Sequence, residues 1–310
     1  MMRERDPLDG LRLVLRSIDA IRNTAALFVL LGTFAIAGLL VAMAEASYAR
    51  AADWWGPLQA GVALLVAFYG GNAAGILVMD GARGRRVRTI SAALRASLAS
   101  AHRLLLALAI VFGACAVAAG AVLGLMWLSR SAVSGGLIGP LLFGLAVPVG
   151  VLAVGLGALS LAAVVVPLAA PGVWSGASVR VIVKTLAVLV RQRLPTVVLL
   201  MAAVSLLTAG MGAIATFVVM VGGRVVAQLG IAVVGVDVPA RQLIAGLFGY
   251  GLRSLGAAGE PAGSSAHAAA ALVGGGVVFA LALVLPGLVY LRGTCAVYLA
   301  VTEEPPARSR

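Results

Sequence analysis

Long apolar runs, separated by short clusters of arginine, set the pattern of this chain. About 20 apolar residues are needed to cross a bilayer as a helix. Six stretches reach that length, at about 24–44, 57–79, 104–128, 137–169, 195–221 and 268–291. A backbone amide in hydrocarbon finds no water partner, so each stretch is predicted to be helical. The segment 1–23 is a cytoplasmic amphipathic lead-in, 24–300 a six-helix transmembrane domain and 301–310 a short cytoplasmic tail. Leu137–Ala169 is long for one crossing and carries Pro140, Pro148 and Pro167, so a tilt or a kink near Pro148 is expected. Ala42-Met43-Ala44 has the small-residue spacing of a leader cleavage site. The apolar run before it is longer than a secretory leader's, so the first span is read as retained.

Composition sharpens this reading. The chain has 310 residues, 62% hydrophobic and 11% charged, with a mean hydropathy of +1.10. A soluble domain carries about a quarter charged residues. No charge occurs between Arg130 and Arg180, or between Arg193 and Arg224. So little polar surface excludes a soluble enzyme, a secreted disulfide scaffold and a disordered chain. The fold class expected is all-α integral membrane.

Charge then orients the spans. With six spans and the N-terminus inside, 18 of the 23 Lys and Arg residues fall on the cytoplasmic side, as the positive-inside rule requires. Dividing the fourth span would send Arg180, Lys184, Arg191 and Arg193 outside. The expected location is therefore the cell inner (plasma) membrane, multi-pass, with both termini cytoplasmic. A net charge of +12 would suggest nucleic acid for a soluble protein. Here it points to anionic phospholipid headgroups, with a membrane-protein partner or a second copy of the chain as further possible partners and no nucleic acid.

The basic segments share a spacing. Arg12, Arg16 and Asn23 stand at i, i+4 and i+11, as do Ser91, Arg95 and His102, and again Arg180, Lys184 and Arg191. That spacing marks one stripe of a helix. Leu11, Ile90 and Val179 travel with it. Two explanations stand: cytoplasmic segments beside spans are generally basic, or the chain is three hairpins, each preceded by a basic amphipathic cytoplasmic helix. The candidate contacts to anionic lipid or a partner are Arg83, Arg85, Arg86, Arg88, Arg95, Arg180, Lys184 and Arg191. The connection Gly222–Ser265 is read as an outer surface helix in preference to a re-entrant segment, and Trp54 and Trp55 as interfacial anchors.

Chemistry is sparse. Membrane proteins that move protons or ions bury ionisable side chains. The six predicted span interiors hold none: Glu45, Asp53 and Asp80 stand at span ends, His102 and His267 in flanks. Neither H-E-x-x-H nor G-x-S-x-G occurs. Hence no catalytic, metal or cofactor residue is assigned, and Cys115 and Cys295 are read as packing residues. Gly71 and Gly75 form a G-x-x-x-G face around Asn72, and Gly120 and Gly124 form another. Small residues let helices approach closely and an amide can bond across the contact, so these are candidates for helix packing.

Six spans, basic helices before the third and fifth, and the passage Pro167-Leu-Ala-Ala-Pro171-Gly172 to Ser178, Lys184-Thr185-Leu186 carry a resemblance. The chain resembles bacterial six-span membrane proteins similar to the membrane domain of glycerophosphodiester phosphodiesterases. The resemblance implies a six-helix membrane fold and carries no catalytic residue, because the phosphodiesterase domain is absent. The expected function is a non-enzymatic lipid- or partner-binding scaffold. The alternative is a transporter or permease subunit for a neutral or lipidic cargo, with a polar path along Asn72, Ser205 and Thr208.

Overall fold

The computed structural model describes residues 15–49, 54–130, 138–234 and 266–302. The lead-in around Leu11 and Arg12, most of the connection Gly222–Ser265 and the tail lie outside these residues. Among the described residues the structure is helical, without a strand. A 3-10 turn, Arg16–Arg22, precedes α1 (Thr24–Ala49) and α2 (Trp55–Ala82). Then follow α3 (Ile90–Arg130), α4 (Ile138–Ser160), a π turn at Leu161–Val165, α5 (Val166–Trp174), α6 (Val179–Gln192), α7 (Leu194–Val234) and α8 (Ala266–Thr302). Six segments are long and apolar enough to cross a membrane: Thr24–Val41, Trp55–Ala82, Ile90–Ser129, Gly139–Trp174, Leu194–Val226 and Ala282–Thr302.

Local sequence explains several boundaries. Between Thr89 and Arg130 there is no proline, and the first glycine is Gly113, so nothing interrupts helix propagation. The basic stretch carrying Arg95 and Arg103 is therefore continuous with the span after it, not a separate helix. In the fourth segment the helix passes through Pro148 unbroken. The departure from α geometry falls instead just before Pro167, which cannot donate a backbone hydrogen bond. There the Val166 N–H donates to the Leu161 carbonyl, five residues back.

The described residues divide into two compact units, one containing Leu15–Leu98 and Ala203–Gly293, the other Ala99–Ala202 and the chain from Thr294. In the first, α1 and α2 pack as an antiparallel pair. Gly70 of α2 has no side chain, and Thr33 of α1 occupies the room a Cβ would need. The Thr33 hydroxyl is satisfied by donating to Val29 O at 2.7 Å. The Ser97 hydroxyl of α3 donates to Tyr69 O of α2 at 2.7 Å. In the second unit Ile182, Leu186 and Leu189 of α6 are buried, whereas Arg180, Lys184 and Arg191 are exposed.

Candidate functional site

A group of polar residues in the first unit meets where α2 ends. Helix α2 stops in a glycine cap: Gly84 has φ +65°. The Gly84 N–H donates to Gly81 O, and the Arg85 N–H to Asp80 O. This left-handed turn satisfies carbonyls that a helix end otherwise leaves orphaned. Two carbonyls one step deeper are reached from distant parts of the chain. The Asn23 carboxamide donates from Nδ2 to Leu77 O at 3.2 Å, and its Oδ1 accepts the Ala26 N–H at 3.2 Å. Asn23 thus caps the start of α1 and the end of α2 with one side chain. Arg292 of α8 donates from Nη1 to Val78 O at 3.3 Å. A cation there also opposes the partial negative charge at the C-terminal end of α2.

Asp80 lies in the last turn of α2 and is only 4% exposed. Its Oδ2 stands 3.0 Å from Nε of Arg88, whose side chain is 43% exposed. The two are an ion pair without the alignment of a hydrogen bond. A buried carboxylate is costly unless a cation or a donor stays beside it, so the arginine that follows the turn is what permits Asp80 here.

Beside this clasp opens a cleft of about 400 Å³, bordered by Asp19, Arg22, Asn23, Gly81, Val87 and Arg292. Val78 and the first residues of α1, Thr24 and Ala25, complete its wall. A Cβ at Gly81 would lie 3.6 Å from both Arg292 Nη1 and Asn23 Nδ2, so a larger side chain would fill this floor. Two guanidinium groups face one carboxylate, Asp19. The arrangement can hold an anion.

The sequence candidates are distributed as follows. Arg85, Arg86, Arg88 and Arg95 are exposed and Arg83 is half-buried. Arg95 also donates from Nε to Ser91 O, one turn back. Asn72 is buried and donates to Phe68 O at 2.8 Å, within its own helix, and Gly75 is buried nearby. Among the described residues a Cβ at Gly71, Gly120 or Gly124 would meet open space, and the close approach of α1 to α2 uses Gly70 instead. Cys115 and Cys295 are free thiols, Cys295 buried. Neither Ser205 nor Thr208 borders the cleft. Sequence reasoning missed Asn23 and Arg292 as partners. An asparagine directly before an apolar helix is a capping signal, but nothing local marks Arg292 as its companion.

Six apolar crossings with a polar clasp at one helix end define a multi-pass helical membrane protein. Comparison with protein-family models, curated proteins and solved structures found no match for this chain.

Proposed function

We propose that the protein is a non-enzymatic scaffold of a bacterial inner membrane, with a basic cytoplasmic side that binds anionic phospholipid headgroups or a partner. The topology in this reading is three hairpins with both ends of the chain cytoplasmic. One observation carries it: Arg180, Lys184 and Arg191 are exposed on α6 while Ile182, Leu186 and Leu189 of the same helix are buried. The exposed Arg85 and Arg86, after α2, support it. Basic residues near an anionic surface contribute about 1 kcal/mol each. The likeness to six-span relatives of the phosphodiesterase membrane domain agrees with this reading in layout.

The test is lipid selection. The full chain is placed in nanodiscs of mixed phosphatidylglycerol and phosphatidylcholine, and the lipids that stay with it are identified by mass spectrometry. Phosphatidylglycerol is expected in excess over its share. A variant with Arg85, Arg86, Arg180, Lys184 and Arg191 changed to Gln should lose most of that excess, about fivefold per charge. No excess in the wild type, or flux of a solute through proteoliposomes, overturns the scaffold in favour of transport. A reporter inserted at Gly176 should read cytoplasm.

A further inference from the structure

We infer that the cleft at the end of α2 is a binding site for one singly charged phosphate group. This rests on the proposal that the protein's basic side engages anionic headgroups, and it assigns one headgroup a built position. The volume of about 400 Å³ lies in the range of small-molecule sites. Its charge is specific: Arg22 and Arg292 against Asp19 leave one net positive charge in the wall. Asp80, the carboxylate of α2, is engaged by Arg88 and does not border the cleft. One negative charge is what a phosphodiester carries.

Geometry supports the same ligand. Guanidinium is a planar fork that matches phosphate oxygens. Arg292 is half-buried and fastened through Nη1 to Val78 O at 3.3 Å, so its plane is held before any ligand arrives. Arg22 is exposed at the rim, where it can close over a headgroup. Thr24 and Ala25 belong to the first turn of α1, and the positive end of that 26-residue helix offsets the negative end of α2 beside the same space. Gly81 leaves the floor open. The charge match favours a lipid phosphodiester over a soluble phosphate, which carries about −1.5 to −2 at neutral pH, and the experiment separates them.

The full chain is purified in phosphatidylcholine nanodiscs. Short-chain phosphatidylglycerol, glycerol phosphate and inorganic phosphate are titrated in separate arms, with bound lipid counted by native mass spectrometry and stability read from melting. Arg22→Gln removes one cation from the rim, and Val87→Trp fills the cleft from its exposed side without touching a charge. One phosphatidylglycerol per chain is expected in the wild type, about tenfold weaker in Arg22→Gln and lost in Val87→Trp. If soluble phosphates raise the melting temperature of the wild type and not of Val87→Trp, the ligand is a free phosphate. A response to phosphatidylglycerol alone makes it a lipid. Retention unchanged in both variants overturns the site. If anionic enrichment persists in mixed nanodiscs while no single lipid responds to the cleft variants, this inference alone fails. If enrichment is absent altogether, the broader reading fails with it.

Discussion

Two turns of this protein have the same backbone and are fastened by different forces. After α2, Gly84 at φ +65° closes a cap in which Arg85 N–H reaches Asp80 O. After α5, Gly176 at φ +87° closes another, with Ala177 N–H reaching Gly172 O and Gly176 N–H reaching Val173 O. Both caps hand the chain to a basic helix. The first is held by charge and hydrogen bonds: Asp80 with Arg88, and the carbonyls of Leu77 and Val78 with Asn23 and Arg292. The second is held by contact. A Cβ at Gly172 would lie 3.2 Å from Ile182 Cγ1 and 3.7 Å from Tyr298 Cε2, and the Ser175 hydroxyl donates back to Gly172 O at 2.7 Å. A glycine cap therefore fixes the shape of a helix end and leaves open what anchors it. Polar anchoring leaves a cleft beside α2, and apolar anchoring leaves α6 seated on a packed floor.

Substitutions can separate the two, beginning with the largest effect. Gly172→Leu drives a branched side chain into Ile182 and Tyr298. Overpacking of this kind costs about 3 kcal/mol, so the melting temperature in detergent should fall most here, with no dependence on salt. Gly176→Ala and Gly84→Ala place a Cβ in the left-handed region and should each cost about 1–2 kcal/mol. Equal losses at the two sites would verify that the caps share a backbone, and a tolerated Gly84→Ala would break the comparison. Asn23→Ala removes the cap of α1 and one tie to α2. It should cost about 1 kcal/mol and speed hydrogen exchange at Ala26. Smallest of all, Arg180→Gln touches nothing buried. It should leave stability within about 0.5 kcal/mol while reducing phosphatidylglycerol retention about fivefold.

The crossings were legible because hydropathy is local: six apolar windows find six helices long and apolar enough to span, although the last segment is Ala282–Thr302, not the expected 268–291, and takes in Arg292. The burial of Asp80 was not legible, since a carboxylate at the edge of an apolar run looks solvated until the neighbouring helices are in place. The tie from Arg292 to Val78 joins residues 214 apart in sequence. No periodicity connects such a pair. Pro148 shows another limit of pattern: the rule that proline bends a helix identified the right segment, but the irregular turn lies at Leu161–Val165, next to Pro167.

The claim that buried charge anchors the end of α2 rests on unequal exposure: the Asp80 side chain is 6% exposed and that of Arg88 43%. A double-mutant cycle on the pair, read by melting temperature in one detergent, tests it most directly. Arg88→Gln orphans a buried carboxylate, and with screening by solvent at the arginine the loss should be about 1 kcal/mol. Asp80→Asn leaves an arginine that water can solvate and should cost less than half of that. The double variant should then be more stable than Arg88→Gln alone. Equal losses from the two single variants that simply add in the double would contradict the account.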